Sequence, residues 1–230
     1  MRERDVAGIG ALADPVRRRL YLYVCAQVEP VSRDQAAAGA GIARHQAKFH
    51  LDRLEAEGLL ETGYARVGGR SGPGAGRTSK LYRRADREIT VSLPDREYEL
   101  AGRLMADAIA ASAGSGEPVM VALDRLAADH GGALGAAAVS AGGHPASAGS
   151  ALELAASVLA GHGYEPRAEE GRVVLANCPF HSLARTQTDL VCRMNQALVG
   201  GVAATLTPHC PQVALAPAPG RCCVVLTPAS

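Results

Sequence analysis

The chain has 230 residues, 47% of them apolar but only 3% aromatic, with no Trp, which admits one large or two small domains with cores of Ala, Leu and Val. No window of 18 apolar residues occurs and the start Met-Arg-Glu-Arg-Asp is polar, so neither a spanning helix nor a signal peptide is expected, and a cytoplasmic protein with reduced thiols is. The net charge of +1 conceals 15 Lys/Arg against 9 Asp/Glu in residues 1–85 and 9 against 14 in residues 86–230, so a polyanion partner is expected for the first part only.

Ile9, Leu12 and Ala13 give a short first helix. Asp14-Pro15 is an N-cap followed by Pro at the first helical position, and Val16, Leu20 and Val24 keep helical spacing to about Val28. Glu29-Pro30 breaks that helix. Ser32 caps another, from Arg33 to about Ala38, with Gly39 and Gly41 as the turn after it. A further helix follows from Ile42, with Ala47, Leu51 and Leu54 facing inward and Gly58 ending it. Leu59-Leu60 opens a strand whose partner is Lys80-Leu-Tyr82, and between them lies Gly68-Gly-Arg-Ser-Gly-Pro-Gly-Ala-Gly-Arg77.

Asp95 to Ala113 reads as a helix with Tyr98, Leu100, Leu104, Met105 and Ile109 on one side, and that stripe makes it a candidate dimerisation helix. Val119 to Ala128 is another helix, and the Ala/Gly/Ser-rich stretch up to residue 149 reads as partly loop. From residue 150 the pattern is helix (Ala151 to Gly161), hairpin (around Gly163 and Gly171), long helix (Ser182 to Leu206) and hairpin (Val213 to Leu215 with Cys222 to Leu226). The expected class is α+β. It has an N-terminal winged helix-turn-helix over residues 1–86, connecting helices and loop over 87–149, and an α/β sensor of helix–hairpin–helix–hairpin order over 150–230.

The helix from Ile42 carries Arg44, His45, Gln46 and Lys48 in its N-terminal half. Such side chains reach base edges in a major groove: an Arg fork suits guanine O6/N7 and Gln suits adenine N6/N7. Phe49 is placed either on a thymine methyl or against a neighbouring element, and His50 half-buried. Arg53 lies late on the helix and suits a phosphate. Arg66, Arg70, Arg77 and Lys80 flank the glycine-rich tip, where cations neutralise phosphates or enter the minor groove. No Gly-x-Ser-x-Gly, Walker loop or His-Glu-x-x-His occurs, so an enzyme is not expected.

Five of six cysteines crowd the last 53 residues: Cys178, Cys192, Cys210, Cys222 and Cys223. In a reducing compartment that clustering points to metal or redox chemistry, while free Cys also serves as a small core hydrophobe. No Cys-x-x-Cys occurs, which disfavours a zinc ribbon. Thiolates from a strand end, a helix and a hairpin converging in space would suit an iron–sulfur cluster. Alternation along the last strand predicts that only one of Cys222 and Cys223 faces such a site. His181, His209 and Glu170 are candidate fourth ligands. The alternative is a second half that binds an organic small molecule or a partner protein, its cysteines structural.

The segments Ala13 to Leu20, Phe49 to Leu60 and Gly69 to Arg77 resemble the winged-helix regulators of the ArsR and DeoR type. That resemblance implies a homodimer reading an inverted repeat in double-stranded DNA, with recognition helices ~34 Å apart. The order of winged helix, Pro94-Asp-Arg-Glu-Tyr-Glu-Leu100, Asn177-Cys-Pro-Phe180 and Gly220-Arg-Cys-Cys-Val-Val-Leu226 resembles the iron–sulfur-responsive repressors of the SufR kind. It implies a repressor with a cluster, in its 4Fe–4S form, held by Cys178, Cys192 and Cys222, with Cys223 or Cys210 as alternatives.

Overall fold

In the computed structural model, residues 3–65 and 78–229 are described, and the chain divides into two compact units, residues 1–91 and 92–230. The glycine-rich tip with Arg66, Arg70 and Arg77 lies outside the described residues.

The first unit runs α1 (Glu3–Ala11), α2 (Pro15–Cys25), β1 (Val31–Ser32), α3 (Arg33–Ala40), α4 (Arg44–Ala56), β2 (Leu60–Ala65) and β3 (Ser79–Arg84). Asp14 caps α2 by accepting from the backbone N–H groups of Val16 at 2.8 Å and Arg17 at 3.0 Å. Ser32 and Gln35 form a reciprocal capping box on α3. Gly39 falls inside α3, not in a turn after it: a Cβ there would lie 1.9 Å from the Tyr23 ring, so the bare backbone admits that ring. Gly41 makes the turn alone, at φ 64°. Leu20, Val24, Ala36, Ala47, Leu51, Leu54, Leu60 and Tyr82 form the core under a three-stranded antiparallel sheet of order β1-β3-β2. The two-residue strand β1 was not expected; it pairs Val31 with Tyr82.

The second unit comprises α5 (Tyr98–Ser115), α6 (Val119–Gly142), α7 (Ala148–Ala160), β4 (Pro166–Glu169), β5 (Arg172–Leu175), α8 (His181–Thr186), α9 (Thr188–Ala204), β6 (Gln212–Leu215) and β7 (Val224–Thr227). Its antiparallel sheet has the order β4-β5-β7-β6. Glu170 at φ 44° and Gly171 at φ 79° make the two-residue turn between β4 and β5, a conformation whose twist matches the strands it joins.

Three sequence expectations need correction here. The Ala/Gly-rich stretch after Ala128 is helix: α6 continues to Gly142 because its small residues let α9 approach. A Cβ on Gly131 would lie 1.9 Å from the Leu198 carbonyl oxygen, and one on Gly201 would lie 2.0 Å from that of Ala128. The long helix expected from Ser182 is two, broken at Gln187, whose φ of −134° and ψ of 59° are not helical. Residues 87–149 are not a separate connector, since Leu100, Ala101, Leu104 and Ala108 of α5 and Ala122, Leu123 and Ala127 of α6 are buried in one core with α7, α9 and the sheet. The apolar stripe that nominated α5 for dimerisation is thus largely spent within the chain.

Gly201→Ala is expected to destabilise the second unit by about 1–3 kcal/mol, because α6 and α9 must separate. Gly102→Ala, where nothing lies within 4 Å of a new Cβ, is expected to stabilise it by about 0.5–1 kcal/mol. Urea unfolding of both variants checks the pair of signs.

Candidate functional site

Helix α4 sorts its residues cleanly. Ala47, Leu51 and Leu54 are fully buried, while Arg44, His45, Gln46, Lys48 and Arg53 are exposed. Phe49 joins the exposed set at 66% exposure, its ring edge-on to His50 at 5.3 Å, so it does not fill the core. His50 is half-buried, and its Nδ1 has no hydrogen-bond partner among the described residues. Arg44 pairs with Asp34 of α3 at 2.6 Å and Arg53 with Glu57 at 2.6 Å. The Arg44 pair is solvent-exposed at both ends, so releasing it costs little, on the order of 0–1 kcal/mol.

Lys80 is placed differently from the phosphate contact expected of it. Its side chain is only 23% exposed, and its ammonium donates to Glu55, lies 3.7 Å from Asp52 and sits 5.3 Å from the Tyr82 ring centre. It ties β3 to the C-terminal half of α4. Partial burial raises the Glu55 carboxyl, but bonds from Lys80 and Thr62 outweigh it and hold that carboxyl below its ordinary value. Burial likewise lowers Lys80, and the bond to Glu55 together with the nearby charges of Tyr82, Glu55 and Asp52 outweighs that and leaves Lys80 raised.

In the second unit Cys178, Cys192, Cys222 and Cys223 line one cavity of about 200 Å³, together with His181, Arg185, Thr188 and Arg221. The side chains of Cys178 and Cys223 each interact with that of Cys222, and Cys223 also with Cys192. The alternation argument fails for Cys222 and Cys223: β7 begins only at Val224, so the two precede the pleated strand and both reach the cavity. Backbone bonds hold this turn, from Cys222 N–H to Leu175 O at 2.8 Å and from Ala216 N–H to Cys223 O at 2.7 Å. Cys210 stands apart, its sulfur 3.6 Å from the Ala204 carbonyl at the end of α9. Among the other ligand candidates His181 lines the cavity, whereas Glu170 sits in the β4–β5 turn and His209 in the loop after α9.

The thiols are unequal. Donation from Cys178 and Cys223, the Val224 N–H and the Asn195 amide hold Cys222 well below the ordinary thiol value, against the effect of its burial. Its neighbours Cys178 and Cys223 are pushed up, chiefly by their bonds to Cys222 and then by burial. Asn195, fully buried on α9, donates to the Cys222 sulfur at 3.2 Å and accepts from the hydroxyl of buried Tyr164. Arg96 and Asn177 bind each other and secure the Cys178 loop: Arg96 donates to the Cys178 carbonyl at 3.1 Å, and Asn177 donates to the carbonyls of Gly163 at 2.6 Å and Asp95 at 3.1 Å.

Sequence reading missed Asn195, Asn177, Arg96, Arg185 and Arg221. For Asn195 a signal was available, since it is a polar residue in the apolar register of α9, three positions after Cys192. The others become legible only once the fold brings their loops together.

The donor set fits an iron–sulfur cluster in chemistry, because four soft sulfurs share one cavity. As the side chains stand, no group of three or more His, Cys, Asp or Glu among the described residues is gathered about a metal-sized centre. No helix of the described residues is long and apolar enough to cross a membrane.

Residues 12–63 match a helix-turn-helix domain family, a span that covers α2, α3, α4 and most of β2. No curated protein and no solved structure matches the chain. The chain therefore carries a helix-turn-helix domain, which supports a DNA-binding regulator.

Lys80→Met is expected to lower the stability of the first unit at pH 7 by on the order of 1 kcal/mol. Because Glu55 is held below its ordinary value, its contribution is full above that value and is lost as pH falls through the lowered one. The difference between Lys80→Met and the unaltered chain should accordingly shrink on acidification. Urea midpoints measured from pH 7 downwards follow it; a constant difference would show that the ion pair is not the cause.

Proposed function

We propose that this protein is a dimeric transcriptional regulator, acting as a repressor at an inverted-repeat operator, whose DNA affinity is set by the state of its sulfur pocket. The observation that carries the DNA-binding part is the exposure of Arg44, His45, Gln46, Lys48 and Phe49 in the N-terminal half of α4, a helix held in place by the buried Ala47, Leu51 and Leu54. Arg44 and Gln46, with His45 and Lys48 beside them, are the base readers, and Arg53 the phosphate contact. Arg70 and Arg77 extend the electrostatic contact from the tip between β2 and β3.

The sensing part rests on four cysteines in one cavity. Cys178, Cys192, Cys222 and Cys223 are the residues that would hold an iron–sulfur cluster. When bound, such a group supplies a charge and an oxidation state that change with redox conditions. Without it the same sulfurs form a thiol set open to oxidation. Asn195 holds the Cys222 sulfur in place through its amide. Segment 92–97, the first residues of the second unit, is bonded to the Cys178 loop through Arg96, through the Asp95 carbonyl and through Glu97 N–H to Pro179 O at 3.1 Å. A change at Cys178 therefore acts directly on the chain segment that follows the DNA-binding unit, a two-state bias of the kind that switches operator affinity.

Arg44→Ala and Gln46→Ala are each expected to weaken specific binding by about 1–3 kcal/mol and to relax base preference at one position. Arg53→Gln should weaken all sequences alike and reduce the salt slope by about one. Binding titrations over a range of salt test this, and an unchanged affinity for all three variants removes the assigned surface. Protein purified without oxygen should carry iron and sulfide, both lost in Cys178→Ala, or failing that show DNA affinity that falls or rises on thiol oxidation. A metal-free protein indifferent to oxidants would instead move the sensor to an organic ligand or a partner.

A further inference from the structure

The sulfur pocket joins thiols to cations. Cys178, Cys192, Cys222 and Cys223 line it together with His181, Arg185 and Arg221. Among the described residues no carboxylate lines it, although residues 86–230 carry 14 acidic against 9 basic side chains. The Nη1 of Arg221 is buried and has no hydrogen-bond partner among the described residues. A guanidinium nitrogen in that position lacks an acceptor, and a planar carboxylate matches its fork. Arg185, in the last turn of α8, brings a second guanidinium to the same cavity. The complementary ligand is small, anionic and reactive towards thiols.

We infer that the pocket takes an acidic low-molecular-weight disulfide, the oxidised form of a carboxylate-bearing thiol, with Arg185 and Arg221 holding its carboxylates while its sulfurs meet Cys178 and Cys222. This inference rests on the reading of the pocket as the sensing site and names what it senses. Cys178 is half-buried and Cys222 buried, and both line the cavity. Written for neutral thiols, the sulfur of one cysteine of the pair bonds to one sulfur of the ligand as the ligand's S–S bond breaks. The other half of the ligand leaves as a thiol with the hydrogen which that cysteine gives up. The sulfur of the second cysteine then bonds to that of the first, the mixed disulfide breaks, and the second half leaves as a thiol with the hydrogen of the second cysteine. Two electrons pass from the cysteine pair to the ligand, and the protein is left with a Cys178–Cys222 disulfide.

The test uses the reduced, metal-free chain of 230 residues without oxygen, at low salt. Oxidised glutathione, which is acidic, and cystamine, which is cationic, are supplied at equal concentration. Each rate is read by mass spectrometry with peptide mapping and divided by its rate on the urea-unfolded chain. The acidic disulfide is expected to react about tenfold faster or more, as electrostatic focusing at a charged cavity gives. Its product should be the Cys178–Cys222 disulfide, and the preference should decline with salt. In Arg185→Gln, an exposed position, the preference should fall, and in Arg185→Gln with Arg221→Gln it should approach one. A ratio near one in the unaltered chain, a preference for cystamine, or adducts confined to Cys25 or Cys210 overturns the inference. DNA binding measured in parallel separates the two readings. If the acidic preference is absent but diamide oxidation shifts DNA affinity, the ligand class fails and the sensor stands. If the preference holds while no thiol state shifts affinity, the ligand class stands and the sensor fails.

Discussion

The close approach of α6 and α9, at Gly131 on one and Gly201 on the other, sets the second unit. At both residues a Cβ would overlap a carbonyl oxygen of the opposite helix, so the two backbones meet without side chains between them. Gly135 repeats this one turn on: a Cβ there would lie 2.1 Å from the Thr205 hydroxyl. An approach this close fixes both the separation and the rotation of α9. That rotation decides which of its residues face the sheet, and the side it turns inward carries Cys192, Met194, Asn195 and Leu198. The pocket thus inherits its geometry from glycines that belong to no site.

Buried polar groups finish what that packing begins. Asn195 is among the few buried polar side chains of the described residues, and its amide is used at both ends, by the Tyr164 hydroxyl and by the Cys222 sulfur. Satisfied in this way it costs little, whereas with either partner removed it would carry an unmet group in the core. Asn177 and Arg96 do the same for the loop that bears Cys178, anchoring it to residues 95–97 and to Gly163. Cysteines from a loop, a helix and a pre-strand turn stay together because a polar atom holds each of those backbones.

Much of the first unit was legible because its signals are local. The Asp14-Pro15 cap, the Ser32 capping box and the spacing of Ala47, Leu51 and Leu54 each depend on residues within a turn or two. The second unit was legible in its order of elements but not in its contacts. Glycines in the stretch after Ala128 read as loop because a sequence does not show the helix that approaches them. Alternation misjudged Cys222 and Cys223 because it presumes a pleat, and the pleat starts one residue later. Lys80 read as a free cation because Glu55, its partner, lies 25 positions away on another element.

The charge order of α4 completes the case for its exposed face. A helix favours acids near its N-terminus and bases near its C-terminus, each by about 0.3–1 kcal/mol. In α4 the order is reversed: Arg44 and Lys48 lie in the N-terminal half, with no acid in the first turn, while Asp52 and Glu55 lie in the C-terminal half and Glu57 caps it. The acids are compensated from outside the dipole, by Lys80, Thr62 and Arg53. At the other end only Arg44 is paired, with Asp34 in full solvent, and Ala43 supplies no side-chain cap. That end gains little in folding stability from its cations. It presents them to solvent beside the first-turn backbone N–H groups that a helix leaves unpaired, an arrangement that suits an anion.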